Sequence, residues 1–321
     1  MKYFLGLLFI SFIYIGCKNH SGNQLPVVAF ADAFEDNTIA QAKKGFFDGL
    51  KQKGFSEESN TIKVIYRNAQ GDIPALNQIV KYFISENADL IATNPSIATI
   101  TAIQQTKTIP VFMMVSPIPS LMKVTDDKGN PPANLFGVGE TLDYIDTSFL
   151  LIPQLIHPKG PKLVIGMLYN QSEPQSVDAL AHIKQLAAKM NVEVKALSVS
   201  NTSEVQLVAQ SLLTNNIDVF FANPDNTVFA SFETIVKSCN TAKVPIISSE
   251  AGLVARGAVA AYGADMYQWG FQAGEQAATY LKTKSTAGIQ WQKVAVHKHV
   301  YNKQVAETYH ITIPSSYEAI Q

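Results

Sequence analysis

One phrase occurs twice in this chain of 321 residues, and it restricts the fold more than any other feature. Asp89-Leu90-Ile91-Ala92-Thr93-Asn94-Pro95-Ser96 and Asp218-Val219-Phe220-Phe221-Ala222-Asn223-Pro224-Asp225 each run from an acid through a short apolar stretch to Asn-Pro. A run of that length bounded by a turn signal suits a strand covered on both faces of a sheet. Asn is a favoured N-cap, and Pro is tolerated at the first helical position because its missing amide hydrogen would have had no partner there. Each phrase therefore predicts a buried strand that turns at once into a helix, with Asn94 and Asn223 as caps.

The duplication extends to both sides at roughly constant offset. Lys162–Asn170 mirrors Leu25–Ala33, Val192–Ser198 mirrors Ile62–Asn68, and Val244-Pro245-Ile246-Ile247 mirrors Ile109-Pro110-Val111-Phe112. Strands and helices alternate in both copies, the pattern of parallel sheets with helices on each face. The expected fold is α/β, with two similar doubly wound parallel-sheet lobes joined by several crossing segments and a ligand cleft between them. Residues 25–139 with 264–295 form the expected N-terminal lobe, and 140–263 with 296–321 the C-terminal lobe. Crossings are expected at Gly137-Val138-Gly139, at Gly263 and within Val294–Val300, and the helix Tyr267–Leu281 should return to the first lobe. Asp72 is placed to cap a helix led in by Pro74.

With 47% hydrophobic residues, a chain of this length can bury two cores. Net charge is -1 without a basic block, so nucleic acid is not an expected partner. Met1-Lys2 precedes a nearly unbroken apolar run from Tyr3 to Gly16 that ends at Cys17, the layout of a secretory signal. Ile15-Gly16-Cys17 resembles a bacterial lipobox, so residues 1–17 are expected to be a lipoprotein-type signal with Cys17 lipidated, and 18–24 a polar tether. The protein is then exported and membrane-anchored by lipid, facing the periplasm or cell exterior. Cys239 has no second thiol in the mature domain and reads as a half-buried structural residue.

Catalytic and metal signatures are missing. There is no Gly-x-Ser-x-Gly elbow, Walker loop or His-Glu-x-x-His run. Asp126 and Asp127 lie in a polar turn without the further oxygen ligands of a calcium loop, and His297-Lys298-His299 lacks a third ligand nearby. No cofactor or metal is expected, and no enzymatic activity.

Lys43-Lys44-Gly45-Phe46-Phe47-Asp48-Gly49-Leu50, Asn68-Ala69-Gln70-Gly71-Asp72, Pro224-Asp225-Asn226-Thr227-Val228 and Arg256-Gly257-Ala258-Val259-Ala260-Ala261-Tyr262-Gly263 occur in that order. Together they resemble the bacterial ABC-transporter substrate-binding family of the tryptophan and tyrosine type, which has the type 1 periplasmic-binding fold. The likeness covers Leu25–Ser315. It implies a monomeric receptor that closes on a small amino-acid-like ligand and delivers it to a membrane permease and ATPase. A sensory module that passes its ligand state to a receptor or kinase partner is the alternative. By position, the ligand-facing residues it implies are Phe34, Glu35, Asn94, Ser96, Ser116, the Ser172–Glu173 loop, Asp225, Asn226, Thr227 and Glu250. Ser116-Pro117-Ile118-Pro119 stands where the family has an Asp-Pro-Val-Gly type of sequence.

An α-amino acid needs an anion site, a cation site and a shaped pocket. The helix start at Ser96–Ala98 offers free N–H groups to a carboxylate, and the start at Asn226–Thr227 is a second candidate. Glu173, Asp225 and Glu250 are carboxylates at strand ends suited to an ammonium group. Phe34, Tyr169 and Phe112 are candidate aromatic walls.

Overall fold

The computed structural model describes residues 24–320, so the leader and Cys17 lie outside the described residues. The first lobe runs β1 (Val27–Asp32), α1 (Ala40–Gln52), β2 (Lys63–Asn68), α2 (Ile73–Ser85), β3 (Leu90–Asn94), α3 (Ser96–Gln105), β4 (Val111–Pro117) and β5 (Leu135–Glu140). In the second lobe come α4 (Asp143–Leu155), β6 (Val164–Asn170), α5 (Pro174–Met190), β7 (Glu193–Val199), α6 (Val205–Leu213), β8 (Val219–Ala222), α7 (Asn226–Ala230), α8 (Phe232–Ala242), β9 (Ile246–Ser248) and β10 (Ala260–Ala264). The chain then returns to the first lobe through α9 (Met266–Thr283) and β11 (Gln292–Lys293), and ends in the second with β12 (His297–Asn302), α10 (Lys303–Thr308) and β13 (Glu318–Ile320).

Two sheets result, ordered β11-β5-β4-β3-β1-β2 and β13-β12-β10-β9-β8-β6-β7. All strand pairs are parallel except β10 with β12. In each lobe the order reverses beside the first strand, between β1 and β3 and between β6 and β8, and such switch points are where open α/β sheets leave a crevice for ligands. The repeated phrase forms one side of both crevices.

Its opening acid has a definite duty. Asp89 accepts the Val27 N–H at 2.8 Å and Asp218 accepts the Val164 N–H at 2.8 Å, so each ties the start of one strand to its neighbour. Asp72 caps α2 by accepting the Ala75 N–H at 2.7 Å.

The Asn-Pro corners depart from expectation. Asn94 is the last residue of β3, joined to Pro95 by a cis peptide, and α3 begins at Ser96. Its side chain caps no helix and instead donates to Asp32 Oδ1 at 2.9 Å and the Ile39 carbonyl at 3.1 Å. At the second corner the cap of α7 is Asp225, whose Oδ1 accepts the Val228 N–H at 2.9 Å. Helix α3 thus starts without a side-chain cap, and at α7 the cap falls to Asp225, two residues after Asn223.

The passages between lobes are residues 141–142, 265 and 294–296. The glycines read as crossings lie inside strands, because the missing side chain serves close packing there. A Cβ on Gly137, at φ 95°, would fall 2.3 Å from the Met113 carbonyl oxygen, and one on Gly263 would fall 2.3 Å from that of Ser249.

Helix α9 closes the first lobe by lying against α1. Gly45 and Gly49 on α1 lie against the Tyr267 and Phe271 carbonyls of α9, Gly270 and Gly274 on α9 lie against those of Ala42 and Phe46, and Phe46 and Leu50 sink into the core beneath. A Cβ on Gly270 would stand 1.8 Å from the Ala42 carbonyl oxygen, a contact backbone cannot evade. Gly270→Ala is therefore expected to cost about 1–3 kcal/mol through overpacking. Urea unfolding checks this, and an unchanged midpoint would mean that these helices are not in contact.

Candidate functional site

The two crevices face each other across a cavity lined by residues of both lobes. Ile39, Pro95, Ser96 and Val115–Pro117 supply its first-lobe wall; Tyr144, Gln175, Pro224–Asn226, Phe229 and Glu250 supply the opposite one. Glu140–Leu142 and Trp269 close the end where the chain crosses between lobes. The β4–β5 register shifts between Met113 and Ser116, and Val115 sits at φ 48°, an unfavourable conformation for a β-branched residue. That irregularity brings three consecutive residues onto the wall.

The lobes are in direct contact here. Ser96 Oγ, at the start of α3, accepts from Asn226 Nδ2 at 3.0 Å and from Gln175 Nε2 at 3.5 Å, both across the cleft. Those two amides are aimed by Glu173, whose Oε2 accepts from Gln175 Nε2 at 2.6 Å, Asn226 Nδ2 at 2.9 Å and the Asn226 N–H at 3.1 Å. Its Oε1 takes Asn170 Nδ2 at 3.3 Å and the Thr227 hydroxyl at 3.4 Å. Both oxygens of Glu173 are thus saturated. Asp225 is equally occupied, holding the Val228 N–H on one oxygen and, on the other, the Asn170 N–H at 2.6 Å and the Ser176 hydroxyl at 2.5 Å. Neither carboxylate has an oxygen without a partner.

Glu250 differs. Its Oε1 accepts the Tyr144 hydroxyl at 2.7 Å, while its Oε2 is buried with no partner. Gln175 Oε1, on the same wall, is also buried and unpartnered. Burial pushes the Glu250 carboxyl up to about 8, with the nearby Glu140 charge adding and the Tyr144 hydrogen bond opposing. Glu173 is raised to about 8 by burial and the charge of Asp225, and burial raises Asp225 as well. Glu140 meets His297 Nε2 at 2.6 Å and the Thr141 N–H at 2.7 Å. No Lys, Arg or His lines the cavity among the described residues.

Ser96, Ser116, Asp225, Asn226 and Glu250 come together on the cavity. Asn94 lies buried behind the wall, and the Thr227 hydroxyl accepts from Asn170 Nδ2 at 2.9 Å. Phe34 turns into the first-lobe core and Glu35 points to solvent. Ser172 is exposed, Tyr169 packs against the second core, and Phe112 lies between Phe136 and Tyr280. Sequence reasoning missed Tyr144, Phe229 and Trp269, which at helical spacing read as core. The available signal for Trp269 was its place just after a crossing: its indole N–H donates to the Val138 carbonyl at 2.8 Å, linking α9 to the end of β5. His297 and His299 stack on Tyr262 rather than converging on a metal.

Two facing α/β lobes with one cavity at their switch points define a bilobal solute receptor. The model of the family "ABC transporter substrate binding protein" matches residues 27–319, and the chain belongs to that family. It is 34% identical over 262 residues to the tyrosine-binding protein of Clostridioides difficile strain R20291, covering 82% of this chain and 74% of that one. A conserved domain protein of Vibrio cholerae is 26% identical, with a TM-score of 0.82 over 93% of this chain and all of the other. The ABC domain of Streptococcus pneumoniae solved with L-Trp is 24% identical, with a TM-score of 0.82 over 92% of this chain and all of that domain. The protein is accordingly a non-catalytic, exported binding protein of the periplasmic type, serving an ABC permease and ATPase system.

The Glu250 environment also sets a pH dependence. A carboxyl raised when folded keeps its proton up to about pH 8, while the unfolded chain loses it near the ordinary value of 4.5. The folded state then binds more protons across that window, so stability falls as pH rises through it. Glu250→Gln removes about one proton from this dependence. Melting curves at intervals from pH 5 to pH 9 should show the smaller slope; an unaltered slope would place the raised group elsewhere.

Proposed function

We propose that the protein captures an aromatic or other apolar α-amino acid in the interlobe cavity and retains it by closure, for delivery to its permease. The pair of buried, unpartnered acceptors, Glu250 Oε2 and Gln175 Oε1, is the observation that carries this reading, since they suit a donor-rich ammonium group. The first N–H groups of α3, at Ser96 and Ile97, have no intrahelical acceptor and suit a carboxylate without any cationic side chain. Phe229, Tyr144 and Trp269 offer apolar faces to the side chain. The tyrosine-binding relative and the L-Trp complex support the same ligand class.

Calorimetry with L-tyrosine, L-tryptophan, L-phenylalanine and L-leucine tests the reading, and a folded protein that binds none of them ends it. Glu250→Ala is expected to weaken binding by about a hundredfold, the scale for truncating a buried hydrogen-bonded charge partner. Ligand-free melting should not fall, because the variant also removes a costly buried carboxyl. At pH 7 Glu250 must ionise to meet an ammonium group, so binding should release a proton, detected as a heat that varies with buffer ionisation enthalpy.

Cys17 is the proposed point of attachment to the membrane, on the strength of Ile15-Gly16-Cys17 behind an apolar leader. Labelling of cells with a tagged fatty acid should mark the wild-type protein and not Cys17→Ala. Equal labelling of both would remove the anchor.

A further inference from the structure

A second link between the lobes lies off the cavity wall and centres on Arg256, the last residue of the 3-10 turn Ala251–Arg256 in the second lobe. All five of its guanidinium N–H donors have acceptors. Nε and one NH2 hydrogen meet the two oxygens of Glu233 at 2.8 and 2.9 Å, and NH2 also donates to the Phe229 carbonyl at 3.0 Å. NH1 donates to Asp36 Oδ2 and to Thr38 Oγ1, the latter at 3.2 Å. The first three contacts stay within the second lobe, and the Phe232 ring covers the guanidinium at 5.3 Å. The last two reach the β1–α1 loop of the first lobe.

That loop carries the link to the opposite wall. The other oxygen of Asp36 accepts the Thr38 N–H at 2.8 Å and the Ile39 N–H at 3.0 Å. The Arg256–Asp36 pair therefore joins the backbone of Phe229, on one face of the cavity, to that of Ile39 on the other. Neither charged residue lines the cavity itself. Side-chain exposure is 11% for Arg256 and 1% for Asp36, so water screens the pair little. In the same turn a Cβ on Gly252 would fall 2.0 Å from Thr38 Cγ2, so the lobes touch here with no room for a methyl group.

We propose that Arg256 and Asp36 form a closure latch, a pair of positioning residues that touch no ligand and set how long a captured solute is retained. The idea rests on the reading that closure holds the solute. Opening would draw Asp36 away while Glu233 and the Phe229 carbonyl keep Arg256 in its closed-state orientation, ready to re-engage. The closed fraction enters the measured affinity directly. Capture proceeds from the open form, whereas escape requires the latch to break, so the pair acts on dissociation.

Asp36→Asn tests this, since it keeps the shape of the side chain and an oxygen for the Thr38 and Ile39 N–H groups. Small-angle scattering of the ligand-free proteins should give a larger radius of gyration for the variant. Stopped-flow measurements with L-tyrosine and L-phenylalanine, followed by the emission of the two tryptophans, should give dissociation about tenfold faster, the scale of one charge-assisted hydrogen bond. Association should stay within about twofold, and ligand-free melting within about 2 °C. Adding Arg256→Gln to Asp36→Asn should change dissociation little further, as for two halves of one interaction. Identical scattering and dissociation for wild type and Asp36→Asn overturn the latch, as do strictly additive effects. If neither amino acid binds the wild-type protein, the proposed function falls, and the scattering comparison alone decides the latch.

Discussion

Four aspartate side chains, two in each lobe, do what hairpin turns do in antiparallel sheets. Parallel neighbours are joined by distant crossovers, so no tight turn fixes their register, and a slip of one residue would exchange the two faces of a strand. Asp89 and Asp218 hold strand starts by accepting the Val27 and Val164 N–H groups. At the strand ends, Asp32 takes Asn94 Nδ2 and Asp225 takes the Asn170 N–H. Both switch points are thereby braced on the side where the cavity forms. The duplicated phrase begins with the acid that fixes one end of the strand and ends beside the tie that fixes the other.

With the strand ends fixed, the remaining freedom is that of one lobe against the other, and the polar groups at the cleft are graded by how they share it. Glu173 and Asp225 are fully engaged within the second lobe, so they stiffen one wall whatever the first lobe does. Ser96 receives amides from across the gap and so joins one lobe to the other. Glu250 belongs to neither group: its partner Tyr144 is on its own lobe, and its second oxygen is unmatched. Wall stiffening and contact between the lobes thus fall to different side chains, while Gln175 and Ser96 sit where the lobe contact and the proposed ligand site meet.

Much of this was legible from residue order alone. Apolar runs bounded by turn signals located the strands, and their repetition gave two lobes of like topology. The corners were less legible, because a favoured cap type such as Asn94 says nothing about which N–H its side chain will reach in three dimensions. Site residues divided by a similar logic. Ser96, Asn226 and Glu250 were readable as cavity-lining because they follow the carboxyl ends of strands, where an open α/β sheet leaves its crevice. Tyr144, Phe229 and Trp269 were not, because an aromatic residue on the apolar stripe of a helix looks the same whether it meets the core or a cavity. The competition among Glu173, Asp225 and Glu250 turned on how many donors surround each acid, a quantity that only the folded chain supplies.

The lack of a cationic side chain among the described residues that line the cavity bears on selectivity as well as on affinity. Helix N–H groups can meet a carboxylate, but they carry partial charge and cannot attract an anion from far away as Arg would. Glu250, close to neutral at pH 7, likewise exerts little long-range pull. Recognition in such a site depends on matching after entry. An amine lacking the carboxylate would leave the start of α3 dry and unpaired, and an acid lacking the ammonium would leave Glu250 Oε2 and Gln175 Oε1 without donors. Each unmatched buried group costs its full desolvation, more than a made hydrogen bond returns. On the proposed function, a cavity built this way would reject half-matching solutes more strongly than it attracts the right one, and would gain retention from closure rather than from charge.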